Sequence, residues 1–174
     1  AISLCSIFSP RFSGNYIILK TSLIIMLCPT VKLQAEFIAD KFSIPLIDGS
    51  HLVLAKPREI EVFVRSITKS NHNQTSFVFV FSEQGLALTQ VAEDNFISVR
   101  ADFYSPSVKY RRYKGGGKGQ MIAKAIGLNS PHAPHVLDAT AGLGGDAFVL
   151  ASLGCPVTML ERVPEAYALL ADGL

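Results

Sequence analysis

The chain has 174 residues, enough for one ordinary domain, or for a small domain and part of another. Hydrophobic residues make up 49% of it, which excludes intrinsic disorder, while the net charge of +2 says little by itself. The three cysteines are scattered and form no Cys-x-x-Cys pair, so neither a disulfide framework nor a zinc site is indicated.

Residues 1–25 are expected to be an extension that precedes the natural protein. An apolar run at residues 17–28, with Arg11 upstream, faintly resembles a signal peptide. No clean small-residue cleavage site follows, and the run is too short and too interrupted to span a bilayer. We therefore favour Met26 as the natural start over a signal or an anchor. The expected protein is cytoplasmic and has no membrane partner.

Residues 26–106 predict a small α+β domain. A helix is indicated over residues 33–42, where apolar side chains recur on one side. Residues 59–66 fit a helix or a strand, and the choice between the two stays open at this point.

The second half of this small domain predicts an antiparallel sheet. Two β-rich runs, residues 75–81 and 86–91, flank a turn that ends at Gly85, which is typical of a hairpin. Strict alternation then predicts a strand over residues 96–103. The apolar residues expected on one face of that strand are Ile97, Val99, Ala101 and Phe103.

Residues 107–134 are expected to form a basic, glycine-rich loop, a short helix and a linker. No acidic residue occurs between Asp102 and Asp138. The residues expected to contact RNA are Lys109, Arg111, Arg112, Lys114 and Lys118. Tyr110 and Tyr113 lie among them, and cations beside aromatic rings suit phosphates and stacked bases. The alternative is a solvated basic loop whose tyrosines pack on the domain.

Residues 135–174 predict the start of a parallel α/β domain. An apolar strand at residues 135–140, a helix at 146–153 and a second apolar strand at 156–160 form a βαβ unit. A further helix is expected from Pro164, because proline is favoured at a first helical position. The chain ends inside this helix, at Leu174. With only two strands, the sheet is expected to be incomplete.

A glycine-rich loop joins the first of these strands to the helix. Gly142 and Gly144 let the backbone pass close to a ligand at the carboxyl end of the strand. Glu161 follows the next strand, where an acid can accept hydrogen bonds from two ribose hydroxyls. With Ala147, the spacing also fits the dinucleotide fingerprint Gly-x-Gly-x-x-Ala. A third possibility is that the glycines only tighten a turn.

The charge around the loop distinguishes between a dinucleotide and S-adenosylmethionine as the cofactor. The carboxylates of Asp138 and Asp146 flank the loop and would repel the pyrophosphate of a dinucleotide. S-adenosylmethionine has no phosphate and carries a cationic sulfonium and ammonium, which the same carboxylates favour. The sequence therefore predicts S-adenosylmethionine as the cofactor.

Several motifs occur in a fixed order across residues 107–174. They are Tyr-Arg-Arg-Tyr-Lys-Gly-Gly-Gly-Lys-Gly-Gln at 110–120, Ala-Lys-Ala-Ile-Gly at 123–127, Asp-Ala-Thr-Ala-Gly-Leu-Gly at 138–144, Asp-Ala-Phe-Val-Leu-Ala-Ser-Leu-Gly-Cys at 146–155 and Met-Leu-Glu-Arg at 159–162. This set resembles the bacterial J-type small-subunit ribosomal RNA methyltransferases. Residues 31–106 resemble the variable N-terminal domain of that family only in outline.

The resemblance implies a Rossmann-like class I methyltransferase domain, truncated here, that methylates the N2 atom of a guanine in ribosomal RNA. It implies cofactor contacts at Gly145, Asp146, Glu161 and Arg162. Gly145 departs from the family, which usually has an arginine there. The catalytic residues cannot be named, because the family's Asp-Pro-type motif is expected beyond Leu174. The chain itself has no Asp-Pro or Asn-Pro dipeptide, so it is expected to be inactive by itself.

Two other functions stay open at this point: a non-catalytic RNA-binding fragment and, less favoured, a fragment of an NAD-dependent dehydrogenase. No metal is expected. His132 and His135 are the nearest pair of histidines, but Pro134 between them disfavours a helix that could align them as ligands.

Overall fold

A computed structural model of the chain describes residues 2–6, 21–68, 76–106, 110, 117–128 and 132–174. The chain divides into two compact units. Residues 14–100 form one, here called the mixed-sheet unit. Residues 1–13 and 101–174 form the other, here called the parallel-sheet unit.

Eight strands and five helices make up the described part of the chain. The strands are β1 (Ile2–Ser6), β2 (Thr21–Met26), β3 (Leu46–Asp48), β4 (Ser76–Ser82), β5 (Gly85–Val91), β6 (Phe96–Val99), β7 (Val136–Asp138) and β8 (Val157–Glu161). The helices are α1 (Lys32–Phe42), α2 (Pro57–Thr68), α3 (Met121–Ala125), α4 (Gly145–Ser152) and α5 (Pro164–Gly173). Single turns of 3₁₀ helix occur at Pro29–Val31, Ser50–Leu52 and Gly117–Gly119.

The mixed-sheet unit contains a five-stranded sheet of order β3-β2-β4-β5-β6. Strand β2 is parallel to both of its neighbours, β3 and β4, whereas β5 is antiparallel to β4 and to β6. The sheet is therefore mixed, and the prediction of a purely antiparallel sheet was wrong. Residues 21–25, which the sequence assigned to an extension, form most of β2. Five of its six residues are buried. Such a strand gives a continuous apolar run without alternation, which the sequence pattern does not identify as β.

Helices cover both faces of this sheet. The ring of Phe42 in α1 meets Phe79 of β4 edge to face, with centroids 5.1 Å apart. Val64 of α2 belongs to the same buried cluster as Val78 of β4. Because successive side chains of a strand point to opposite faces, α1 and α2 lie on opposite sides of the sheet. The ambiguous residues 59–66 are helical and lie within α2.

Strand β6 is shorter than the alternation predicted. It ends at Val99, and Phe103 is buried in the core of the parallel-sheet unit. Ile97 and Val99 are 52% and 43% exposed, because β6 is an edge strand and α1 packs on β2 and β3. The predicted alternation therefore holds only for Ile97 and Val99, which lie on the exposed face of β6, and was wrong for Ala101 and Phe103, which lie beyond the strand.

The parallel-sheet unit contains three parallel strands in the order β1-β8-β7. The predicted βαβ unit is present, with α4 joining β7 to β8, and the α/β fold class is confirmed. Strand β1 adds a third strand that the sequence did not predict, pairing Ile2 with Val157 and Ser6 with Glu161. Cys155 is buried in the core of this unit, as expected for a small apolar residue.

None of the helices in the described part of the chain is long and apolar enough to cross a membrane.

Candidate functional site at the glycine loop

The loop between β7 and α4 is held by its own hydrogen bonds. Asp138, the last residue of β7, accepts a hydrogen bond from the Thr140 backbone N–H at 3.1 Å. The Ala141 N–H donates to the Leu160 carbonyl of β8 at 3.2 Å, and the Gly144 N–H donates to the Ala141 carbonyl at 2.8 Å. A carboxylate that accepts from a backbone N–H two residues on is a common way to start a turn. The loop therefore leaves the sheet in a defined shape.

Gly142 and Gly144 both have positive φ angles, of 54° and 73°, which other residues adopt only with strain. Their surroundings differ. A Cβ atom at Gly144 would lie 2.6 Å from the Leu170 Cδ1 and 3.2 Å from the Phe103 Cζ, whereas at Gly142 the nearest atom is the Thr140 carbonyl oxygen at 4.0 Å. Gly144 is thus required because the loop packs closely on Leu170 and Phe103 there. At Gly142 the space beside the backbone is open.

Glu161 connects the loop to the strand after it. Its side chain lies at the end of β8 and is buried. Its Oε2 accepts a hydrogen bond from the Gly142 N–H at 2.8 Å, and its Oε1 accepts one from the Val163 N–H at 2.8 Å. A carboxylate offers roughly four acceptor positions, so these two bonds leave capacity for hydroxyl groups of a ligand. Glu161 therefore shapes the loop as well as facing it, a role that spacing alone did not suggest.

The other predicted cofactor residues lie around this loop. Gly145 is the first residue of α4, and Asp146 is exposed in its first turn, where a carboxylate interacts favourably with the helix dipole. Asp138 is half-buried, and Arg162 is exposed immediately after Glu161. The structure thus brings the predicted set together along the carboxyl ends of β7 and β8. The J-type family usually has an arginine at the position of Gly145. Because Gly145 has no side chain, the first residue of α4 offers a ligand only its backbone.

The expectation for the catalytic residues stays a prediction. It placed the Asp-Pro-type motif beyond Leu174, the last residue of the chain, so no described residue tests it. In the structure Leu174 is the C-cap residue of α5 and is 55% exposed. The described site therefore consists of cofactor-loop residues, and none of them is assigned a catalytic role.

Two features of this region were not predicted from the sequence. Glu165, in the first turn of α5, is buried although it carries a carboxylate. Phe103 stacks on Phe148 of α4 with ring centroids 4.7 Å apart and closes the core below Gly144. The acid at the second position of a proline-initiated helix is a signal that could have identified Glu165. No local pattern connects Phe103 to a loop so far away in sequence.

The basic residues expected to contact RNA lie largely outside the described part of the chain. This applies to Lys109, Arg111, Arg112 and Lys114, and to the side chain of Lys118, whose backbone belongs to the turn Gly117–Gly119. Tyr110 is described and is 62% exposed. The alternative in which the tyrosines pack on the domain therefore does not hold for Tyr110.

Within the described ranges, no group of three or more histidine, cysteine, aspartate or glutamate residues could hold a metal ion. His135 is exposed, and its Nε2 shares a hydrogen bond with the Thr158 hydroxyl at 2.9 Å.

Comparison with known proteins identifies similar sequences. A family model described as putative SAM-dependent methyltransferase matches residues 63–174, where SAM is S-adenosylmethionine. Similar curated proteins are named ribosomal RNA small subunit methyltransferase J. They include proteins from Cellvibrio japonicus (48% identity over 137 residues, 76% of this chain and 51% of that protein), Saccharophagus degradans (44% over 141 residues, 81% and 45%) and Tolumonas auensis (56% over 101 residues, 58% and 41%).

A solved structure is also similar. It is a SAM-dependent methyltransferase from Neisseria gonorrhoeae, matched with a TM-score of 0.48 and 28% identity over 87% of this chain and 51% of that chain. The chain spans about half the length of the curated relatives it matches. The resemblance to the J-type family that the sequence motifs carry is confirmed by these relatives. Because the family model covers more than half of the chain, including the whole glycine loop and Glu161, this chain belongs to the SAM-dependent methyltransferase family.

Proposed function

We propose that this chain carries the cofactor-binding part of a methyltransferase that uses S-adenosylmethionine to methylate the N2 amino group of a guanine in small-subunit ribosomal RNA. The observation that carries the proposal is the 2.8 Å hydrogen bond between the Glu161 carboxylate and the Gly142 N–H. It joins the acid at the end of β8 to the open glycine of the loop, which supports a single cofactor surface formed by both.

The residues around the loop suit S-adenosylmethionine better than a dinucleotide. Glu161 keeps acceptor capacity for the ribose hydroxyls after binding its two backbone donors. Asp138 and Asp146 add negative charge beside the loop, which attracts a cationic cofactor and repels a pyrophosphate. Gly142 leaves space for the cofactor to approach the backbone. Gly145 contributes backbone alone, and Arg162 is placed next to the ribose acid.

When bound, the cofactor supplies an electrophilic methyl group on a sulfonium. The contribution of this chain is to hold that group in a fixed orientation, and the hydrogen bonds of Glu161 position the loop before the ligand arrives. The N2 amino group of guanine takes part in base pairing, so an unpaired or flipped guanine is the suitable acceptor. The residues that orient this amino group are expected beyond Leu174, in the part of the relatives that this chain does not match.

The cofactor assignment is tested by isothermal titration calorimetry with the 174-residue chain. We expect S-adenosylhomocysteine to bind and NAD to give no heat of binding. Replacing Asp138 by Asn should weaken S-adenosylmethionine more than S-adenosylhomocysteine, because only the former carries the sulfonium charge. Preferential binding of NAD would overturn the assignment and favour a dehydrogenase.

We further propose that Lys109, Arg111, Arg112, Lys114 and Lys118 contact the RNA backbone. The exposed ring of Tyr110 supports this, because a stacking ring must be accessible. Replacing Arg111, Arg112 and Lys114 together by Ala should reduce the slope of log affinity against log salt by about 2, from roughly 0.7 per phosphate contact. Lys124→Ala, a change of an exposed lysine on α3, is the control. An unchanged slope would contradict this role.

Ribosomal RNA is made and modified in the bacterial cytoplasm, so the proposed substrate places the protein there. The proposed chemistry involves no metal. Chelator treatment should therefore leave binding of S-adenosylhomocysteine unchanged.

A further inference from the structure

The mixed-sheet unit contains a cleft of about 390 Å³. Its size lies within the range of small-ligand sites, roughly 300–1,000 Å³. One wall is apolar and comes from the 3₁₀ turn and the start of α2, with Leu52, Pro57 and Ile60. Phe96 of β6 adds an aromatic ring to the lining. All of the residues that line the cleft belong to the mixed-sheet unit, so it is a feature of that unit alone.

The floor of the cleft is a stretch of sheet that carries hydroxyl groups. Ser82, Thr89 and Ser98 lie on three neighbouring strands, β4, β5 and β6. On the same face, further along the strands, Val78 and Val91 pack in the core under α2. The Thr89 and Ser98 hydroxyls lie 2.8 Å apart and share one hydrogen bond. Thr89 is fully buried and Ser98 is exposed, so Ser98 is the member of this pair that a ligand can reach.

Two charged groups of opposite sign stand at the rim, beside the β4–β5 turn. Glu83 is exposed, and its Oε1 accepts a hydrogen bond from the Cys28 thiol at 3.4 Å. Arg100 donates from Nη1 to the backbone carbonyl and the side-chain Oε1 of Gln84, at 3.2 and 2.9 Å. Among the described residues, these bonds use one nitrogen of the guanidinium and one oxygen of the carboxylate. The remaining donors and acceptors of both groups are available to a ligand.

We propose that this cleft binds an unpaired guanine base of the RNA substrate other than the guanine that is methylated. The Watson–Crick edge of guanine presents two adjacent donors, N1–H and N2–H, which a carboxylate such as Glu83 accepts together. Its O6 and N7 atoms are acceptors that pair with an arginine such as Arg100. The apolar wall and the ring of Phe96 suit the faces of a planar base. Of the four bases, guanine alone offers a carboxylate two adjacent donors, N1–H and N2–H.

The base is expected to arrive within RNA and not as a free nucleotide. Among the described residues that line the cleft, Arg100 is the sole cation, so a di- or triphosphate would lack counter-charges there. In RNA the single phosphates lie outside the base site and are held elsewhere on the protein. The identity of this RNA rests on the proposed function.

The test compares short single-stranded RNAs that are identical except for one central base. Fluorescence anisotropy with the 174-residue chain should show weaker binding when guanosine is replaced by inosine, which lacks the N2 amino group. We expect a loss of at least about fivefold, the lower limit for one good bidentate contact. Glu83→Gln should weaken binding of the guanosine RNA by a similar factor and binding of the inosine RNA by less, because inosine keeps only N1–H for the carboxylate. Glu36→Gln, a change of a partly exposed acid on α1 that pairs with Lys32, should change neither.

Crosslinking locates the base. A 6-thioguanosine at the same position should crosslink to peptides from the β4–β5 turn or the 96–100 segment. Equal binding of guanosine and inosine RNAs, or crosslinks outside the lining residues, would overturn the proposal. If GMP competes as strongly per molecule as the RNA, the ligand is a free nucleotide and the RNA assignment fails. Calorimetry with S-adenosylhomocysteine distinguishes the failure of this proposal from the failure of the proposed function. If the chain binds S-adenosylhomocysteine but does not prefer guanosine RNA, guanine binding in the cleft is refuted and the cofactor assignment stands.

Discussion

The glycine loop and the cleft of the mixed-sheet unit differ in how far apart along the chain their parts lie. The loop, its acid and the helix after it lie within residues 138–165, and the hydrogen bonds that shape the loop are donated by backbone N–H groups. The cleft takes side chains from Leu27 to Arg100, on several strands and one helix. A site built from neighbouring residues leaves a spacing that can be recognised, whereas a site built by sheet pairing leaves none. The two sites consequently require different kinds of test.

The largest expected effect comes from filling the space under the glycine loop. In Gly144→Ala the new Cβ would meet Leu170, which is fully buried and cannot easily move aside, and the residue would hold a left-handed conformation. Strain of about 1–2 kcal/mol and overpacking of about 1–3 kcal/mol should together lower the free energy of unfolding by about 2–5 kcal/mol. Urea denaturation measures this change.

The matched control for this change is Gly127→Ala. Gly127 has nearly the same φ, 72°, but nothing lies within 4 Å of its added Cβ. It should show the conformational strain alone, about 1–2 kcal/mol. If both variants lose the same stability, packing under the loop contributes nothing, and Gly144 is required by its conformation only.

The core of the mixed-sheet unit should respond next most strongly. Val64 of α2 is fully buried in the cluster that borders the cleft, so Val64→Ala should cost about 2–3 kcal/mol of unfolding free energy. Val62 on the same helix is 61% exposed, and Val62→Ala should change stability by less than about 0.5 kcal/mol. Equal effects in thermal melts would show that α2 does not cover the sheet as described.

A smaller effect is expected from uncharging the acid that holds the loop. Glu161→Gln replaces one acceptor oxygen by an NH₂ group, which must then face the N–H of Gly142 or Val163. Leaving one of these donors unpaired should cost about 1–3 kcal/mol. Amide hydrogen exchange should speed up at residues 142 and 163, with little change in α4. Unchanged exchange at both positions would mean that the carboxylate does not fix the loop.

The smallest effect concerns the stability of the mixed-sheet unit at acidic pH. Hydrogen bonds from the Ser50 side chain and backbone N–H hold the pKa of the Asp48 carboxyl below its ordinary value. A lowered folded-state pKa stabilises the fold above the ordinary carboxyl pKa, and this contribution is lost as the pH falls through the lowered pKa. The difference in melting temperature between the wild type and Asp48→Asn should therefore shrink on acidification. A difference that is constant with pH would contradict this assignment.

The sequence predicted the local part of the parallel-sheet unit well. It identified α4, β7, β8 and the placement of Gly142 and Glu161, because each depends on residues close in the chain. It did not predict that Gly144 packs against Phe103 and Leu170, since no spacing rule connects residues from separate elements. The double backbone contact of Glu161 was also missed, because spacing places an acid but does not tell which donors it meets.

The mixed-sheet unit was harder to predict for two physical reasons. Strand β2 is buried on both faces, so its residues form an apolar run without the alternation that marks a strand. The sheet order depends on the parallel pairing of β2 with β3 and β4. Parallel strands are not joined by a tight turn, so no turn motif in the sequence predicts this pairing. The hairpin β4–β5 was recognised because its turn, ending at Gly85 with φ 95°, is encoded locally.

The pairing of β1 with β8 has a consequence for the order of folding. Residues 2–6 meet residues 157–161, and the whole mixed-sheet unit is encoded between them. Contacts of such long sequence separation form late, because the entropy of closing the intervening chain must be overcome first. During synthesis β1 leaves the ribosome long before its partner exists. The mixed-sheet unit is therefore expected to fold first and, by compacting the intervening chain, to lower the entropic barrier for β1 to join its sheet.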